Sequence, residues 1–190
     1  CTLCAHRCGV MRDAGERGIC RMGDTPKIAR AALHFYEEPP ISGKGGSGAV
    51  FFSGCSLGCI YCQNREISHG GFGVTVGEEE LARIYLRLAA EGAENINLVT
   101  PTHFVPSVIR SVAAARAAGL SLPVVYNTSS YETPETVDAL AGTVDVFLAD
   151  AKYHDATLAA KYSAVSDYPA VAWEAIGHMV KIAPKPVLDA

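Results

Sequence analysis

Three cysteines carry the clearest chemistry in the sequence. They stand in Cys55-Ser56-Leu57-Gly58-Cys59-Ile60-Tyr61-Cys62, a C-x3-C-x2-C spacing directly after the apolar run Ala49-Val50-Phe51-Phe52. A short loop leaving a strand can present three thiolates to three corners of one cuboidal [4Fe-4S] cluster. A fourth cysteine in the loop would close the site; with three, one iron stays open, as a substrate-chelating cluster requires. Gly54 and Gly58 ease the tight wrapping of such a loop. The alternatives are a zinc site short of one ligand or three buried thiols without a role. Structural zinc normally takes four ligands, often from paired C-x2-C knuckles, so the pattern favours the cluster.

A second group, Cys1, Cys4, Cys8 and Cys20, has the spacing C-x2-C-x3-C-x11-C. All 7 cysteines fall in the first third of the chain, and an odd, tightly clustered set points to metal ligation rather than a disulfide framework. A segment this short, with little apolar content, needs a metal to order it. Four thiolates suit tetrahedral zinc or an auxiliary iron-sulfur cluster, and the spacing is compatible with both; His6 is a less favoured substitute ligand.

The elements that must position these groups follow from composition and periodicity. With 190 residues, 49% hydrophobic and 19% charged, the chain can bury one core plus a small appendage. A net charge of -4 without any basic run argues against a nucleic-acid partner. No apolar stretch approaches the roughly 20 residues that span a bilayer, and the start lacks a signal peptide's apolar segment. A cytoplasmic, non-membrane protein is expected. The opening on Cys1 and the closing stretch Pro184 to Ala190, which reads as an approach to another element, suggest a truncated chain.

Strand one is read at Ala49 to Phe52. Thr75 and Glu78 form a capping-box pattern ahead of a helix with the apolar face Leu81, Ile84, Tyr85 and Leu88, stopped by Gly92. Strand two is Ile96 to Val99. Pro106 suits the first turn of a helix carrying Val108, Ile109 and Val112, closed by Gly119. Val124 to Tyr126 is strand three, Thr133-Pro134-Glu135 opens a helix that Gly142 ends, and Val144 to Leu148 is strand four. Weaker helical stretches lie near Ala156 to Tyr162 and Pro169 to Val180. This rhythm argues for parallel strands with crossover helices. The loop Gly43 to Gly48 lacks the phosphate-loop pattern and precedes its strand, so it is read as flexible backbone.

With Tyr61 in its aromatic slot, the three-cysteine loop resembles the radical S-adenosylmethionine (radical SAM) superfamily. Glu38-Pro39-Pro40-Ile41-Ser42-Gly43, Gly46-Ser47-Gly48, Phe51-Phe52-Ser53-Gly54-Cys55 and Cys62-Gln63-Asn64 are similar, more narrowly, to pyruvate formate-lyase activating enzyme-like proteins with an extra N-terminal cysteine motif. The resemblance implies an α/β fold, a partial parallel (β/α) barrel of the radical SAM type. Four strand-helix units are visible where that family has six strands, so the final strands are expected to be missing. Residues 1–47 would be the N-terminal metal-binding segment and linker, and 48–190 the partial barrel.

The resemblance also implies the chemistry. An open iron would bind the amino and carboxylate groups of S-adenosylmethionine, one electron would cleave the sulfonium, and a 5'-deoxyadenosyl radical would abstract hydrogen from a protein or peptide, with glycyl-radical activation as one case. The electron would come from a donor such as flavodoxin or ferredoxin. Two further readings stand beside it: a radical SAM enzyme acting on a small molecule, and a non-catalytic zinc-binding docking module, which would need neither Tyr61 nor the charged pair described next.

Cofactor-binding candidates gather after the strands, where loops of parallel barrels converge. After strand two come Thr100, Thr102 and His103, where related enzymes carry a glycine-rich motif, and after strand three Asn127 and Ser129, with Ser130 replacing the family's glycine. After strand four, Asp150-Ala151-Lys152 matches the family's Asp-x-Lys step, with Lys152 expected to pair with the carboxylate of S-adenosylmethionine. The bland alternatives are helix capping at His103, an ordinary turn at 127–130, and a plain salt bridge at 150–152.

Overall fold

Apolar runs separated by turn residues assemble into a six-stranded sheet in the computed structural model, which describes residues 1–185. In chain order the elements are β1 (Lys27–His34), α1 (Pro39–Ser42), β2 (Ser47–Phe52), α2 (Arg65–Ser68), β3 (Val74–Thr75), α3 (Glu78–Ala90) and β4 (Ile96–Val99). A 3-10 turn (Thr102–Phe104) then leads into α4 (Val105–Ala117), followed by β5 (Val124–Thr128), α5 (Pro134–Asp138), β6 (Val146–Ala149), α6 (Ala156–Ser163) and α7 (Tyr168–Ile182). The spatial order is β3-β1-β2-β4-β5-β6, with β3 and β6 at the edges, so the sheet is open. Strands β2, β4, β5 and β6 are parallel, whereas β1 runs antiparallel to β2 and β3 antiparallel to β1.

The four expected strands thus appear as β2, β4, β5 and β6. Residues 27–34, expected as linker, form a strand instead, so a boundary at 47 would cut between two paired strands. The capping box at Thr75 and Glu78 does not form: Thr75 pairs with Lys27 in the sheet, and Gly77 precedes the helix without a side-chain cap. Three glutamates, Glu78, Glu79 and Glu80, fill the first turn of α3, where the helix dipole favours negative charge. Thr133 caps α5 as expected, its hydroxyl accepting from the Thr136 amide. Of the closing stretch, residues 186–190 lie outside the described residues.

Strand alternation splits the sheet into two faces. Val50, Phe52, Ile96, Leu98, Val124 and Tyr126 pack beneath Leu81, Tyr85, Leu88, Val108 and Val112 of α3 and α4. Each such side chain, fully buried, is worth about 1.5–3 kcal/mol relative to exposure. On the other face, Phe51, Val99, Asn127 and Leu148 stand in register across four parallel strands and remain half-buried. Helices α6 and α7 build a separate apolar seat, in which Ala159, Tyr168 and Ala172 meet Leu57 and Cys59. Among the described residues, no helix is long and apolar enough to cross a membrane.

Candidate metal centre

Strand β2 ends at Phe52, and the next residues hold the cysteine loop at both ends. The Ser53 carbonyl lies 2.7 Å from His103 Nε2, and the Ser53 hydroxyl donates to the Phe72 carbonyl at 2.5 Å. Gly54 has φ +85°, and a Cβ there would sit 2.8 Å from the Cys20 carbonyl and 3.1 Å from His103 Nε2, so no other residue fits without a shift. Gly58 has no comparable need, since a Cβ there would meet Ala164 at an ordinary 3.5 Å. Further along, the amides of Gly58 and Ile60 donate to the carbonyls of Ser163 (3.1 Å) and Tyr162 (2.9 Å) at the end of α6.

Each sulfur of the loop has one polar neighbour. Cys55 accepts from the Leu57 amide at 3.4 Å, Cys59 lies 2.8 Å from the Ser163 hydroxyl, and Cys62 lies 3.3 Å from the Ser68 hydroxyl. Burial pushes the Cys55 thiol up to about 11; the Leu57 amide and the Lys152 ammonium oppose this, while Cys59 and Cys62 add to it. Lys152 therefore stands close enough to the loop to act on it electrostatically. Among the described residues, no group of three His, Cys, Asp or Glu side chains is arranged to hold a single metal ion. A cuboidal cluster meets each cysteine at a different iron, so its ligands stand further apart than those around one ion.

Around this loop the strand ends bring some candidates together and turn others away. Lys152 and Asp150 form an ion pair. The Lys152 amide donates to the Tyr168 hydroxyl at 2.9 Å, and that hydroxyl lies 2.8 Å from the Ser129 carbonyl and 2.9 Å from the Asp150 carbonyl. Tyr168 thus aligns the ends of β5 and β6, a role no local pattern announces. Asn127 faces the open side in register with Leu148, and Ser129 is buried with its hydroxyl unpartnered. Ser130 takes φ +59°, so the slot where the resemblance expects glycine is indeed left-handed, and serine occupies it. Tyr61 is 53% exposed, its hydroxyl 2.5 Å from that of Tyr153. Thr100 is half-buried at the end of β4.

Thr102 and His103 point elsewhere. The Thr102 hydroxyl donates to Glu132 at 2.6 Å, and both residues are buried. Thr128 and Tyr126 bond the same Glu132 oxygen, while burial raises the carboxyl's pKa. This knot ties the ends of β4 and β5 beneath the site rather than lining it, and His103 is spent on Ser53. Both residues hold the loops in place instead of facing the open side.

Burial pushes the His103 pKa from 6.5 to about 4, with Arg12 adding to the shift and the Ser53 carbonyl opposing it. Unfolding returns the imidazole to its ordinary value, so the unfolded chain binds a proton that the folded chain refuses. This stability is fully present above pH 6.5 and is lost as pH falls towards 4, a change on the order of 3 kcal/mol. In the metal-free chain, urea midpoints at about pH 7 and about pH 5 should therefore differ, and His103→Gln should flatten the difference. An equal acid loss in that variant would assign the effect to other groups.

The N-terminal segment packs across these same strand ends. Cys4 bridges to Glu132, His6 Nε2 lies 2.7 Å from the Ser56 carbonyl, and Arg7 pairs with Glu135 at 3.2 Å. Arg12 is 8% exposed; its guanidinium donates to the carbonyls of Met22, His103 and Gly23 and lies 5.5 Å from the Phe104 ring centroid. Burial, opposed by the His6 amide and helped by Cys8, Cys20 and Glu132, raises the Cys4 thiol to about 11. Cys1 Sγ lies 3.8 Å from the Arg12 guanidinium.

The Radical SAM superfamily profile matches residues 49–181, which takes in β2 through α7 and the whole cysteine loop. The chain belongs to the radical SAM superfamily. An uncharacterized protein of Methanocaldococcus jannaschii is 32% identical over 177 residues, covering 88% of this chain and 50% of that relative. The chain thus spans about half the length of the curated relative it matches.

Radical SAM enzymes generally hold a [4Fe-4S] cluster and S-adenosylmethionine, and an open, mostly parallel α/β sheet is consistent with a partial radical SAM fold. The donor set of this loop fits such a cluster: three thiols, one polar neighbour on each sulfur, and no fourth cysteine within the loop. The residues that escape a reading of the sequence are Arg12, Ser68, Glu132, Tyr153, Ser163 and Tyr168. All but Tyr153, beside Lys152, lie outside the local patterns that mark the site.

Proposed function

We propose that this chain binds a [4Fe-4S] cluster through Cys55, Cys59 and Cys62 and acts on a protein or peptide substrate by hydrogen abstraction. The observation that carries the reading is the cysteine loop itself, leaving the end of β2 and clamped by backbone hydrogen bonds to the end of α6. When bound, the cluster and S-adenosylmethionine supply reductive cleavage of the sulfonium and the resulting 5'-deoxyadenosyl radical.

The chain's own residues position and shield. Lys152, held by Asp150 and by its amide bond to Tyr168, offers a cation for the carboxylate of S-adenosylmethionine. Asn127 on the open face and Ser129 with its unpartnered hydroxyl offer polar contacts for the rest of that molecule. The apolar seat of Leu57, Tyr131 and Tyr168 keeps water from one side of the loop. Glycyl-radical activation, in the manner of pyruvate formate-lyase activating enzymes, is the substrate reading we favour, with a flavodoxin or ferredoxin as electron donor in the cytoplasm. The N-terminal segment would hold a second iron-sulfur cluster or a zinc ion through Cys1, Cys4, Cys8 and Cys20.

Anaerobic reconstitution with iron and sulfide, metal analysis, and an assay for 5'-deoxyadenosine under reduction test the proposal. Nucleoside with about four irons per chain fits one cluster, and about eight adds an auxiliary one. Uptake of zinc alone with no nucleoside would replace the enzyme by a docking module.

A further inference from the structure

Cys59 differs from its two companions in what stands behind its sulfur. Its Sγ lies 2.8 Å from Ser163 Oγ, which lies 2.7 Å from the Tyr153 hydroxyl, which lies 2.5 Å from the Tyr61 hydroxyl. Cys59 and Ser163 are buried, whereas Tyr61 is 53% exposed, so the hydroxyl chain runs from the buried sulfur to the surface. Its members come from three places: the cysteine loop, the exit of β6, and the last turn of α6.

A metal-bound cysteine sulfur carries no proton and can only accept. Ser163 must then donate its single hydroxyl hydrogen to Cys59, which leaves its oxygen to accept from Tyr153, and Tyr153 in turn to accept from Tyr61. Bound in this way, the sulfur sets one direction for all three bonds. Hydroxyls so aligned polarise one another, and they do so here at a buried sulfur. The neighbours of Cys62 and Cys55, at 3.3 and 3.4 Å, have no such chain of hydroxyls running to a surface tyrosine.

Hydrogen bonds to cluster sulfurs are one means by which a protein sets a cluster's reduction potential. A donor stabilises the reduced, more negative cluster more than the oxidised one. We infer that Ser163, backed by Tyr153 and Tyr61, is a positioning residue that raises the potential of the cluster through Cys59. The inference rests on the proposed role of Cys59 as a cluster ligand. The clamp on the loop backbone uses the Ser163 carbonyl, so the hydroxyl can be removed without cutting the clamp.

Potentiometric titration of the reconstituted protein, followed by electron paramagnetic resonance, tests this. Ser163→Ala should keep its iron but reduce about tenfold less readily, a fall of about 59 mV for one electron, and Ser163→Thr should restore the wild-type midpoint. Tyr153→Phe should shift in the same direction by less, and Tyr61→Phe by less again. An unchanged midpoint in Ser163→Ala with full iron content overturns the inference and leaves the cluster reading standing. Should Ser163→Ala fail to hold iron, Tyr153→Phe decides, an unchanged midpoint there overturning the inference. Full iron and a wild-type spectrum in Cys59→Ala would instead overturn the reading on which it rests.

Discussion

Cys59→Ala is expected to abolish both the brown absorbance of the reconstituted protein and its formation of 5'-deoxyadenosine. The residue is 8% exposed in the apolar seat formed by α6 and α7, so no solvent ligand can readily take its place. Two thiolates remain in the loop, too few to hold the cluster at three of its irons. Loss should be complete within the sensitivity of the nucleoside assay, not partial as for a peripheral contact. Iron should fall by about four per chain, while any metal held near Cys4 stays. Circular dichroism matching the parent would show that the sheet survives. Nucleoside formation at anything near the parent rate would remove Cys59 from the cluster and with it the central claim about this loop.

Arg12→Ala is expected to release the N-terminal segment from the strand ends. The buried guanidinium satisfies the carbonyls of Met22, Gly23 and His103 and packs near the Phe104 ring. Deleting it leaves buried acceptors unpaired, at about 1–3 kcal/mol each before water relieves them. A loss of about 3 kcal/mol or more is expected, expressed first as faster protease cleavage before residue 25 and then as a lower melting temperature. Arg12→Lys should not rescue it, because one ammonium cannot reproduce a planar fork spread over three carbonyls. Unchanged protease resistance in Arg12→Ala would mean that Cys4, His6 and Arg7 hold the segment without it.

The parallel strands were legible because each is a short apolar run closed by turn residues, and α3 and α4 because their apolar positions recur at helical spacing. Strand β1 was not. Lys27–His34 is rich in alanine, carries Arg30 at a register shift, and offers no clean alternation, so its strand form comes from pairing with β2 rather than from its own preference. The same holds for Thr75, whose capping pattern lost to two residues of sheet pairing with β1.

The candidate site divides along the same line. Residue type and local spacing by themselves singled out the three-cysteine loop, whereas the Asp150-x-Lys152 step and Ser130 in a glycine's place were marked only by the family resemblance, and the left-handed backbone at Ser130 came from the structure. Only the tertiary structure decided that Thr102 and His103 turn inward to Glu132 and Ser53, because their competing partners lie 30 and 50 residues away. It alone placed Ser163 on Cys59 across 104 residues and set Tyr168 between the ends of β5 and β6. Hydrogen bonds are short and directional, so which hydroxyl meets which sulfur depends on how α6 and α7 pack, and packing is not a local property of the chain.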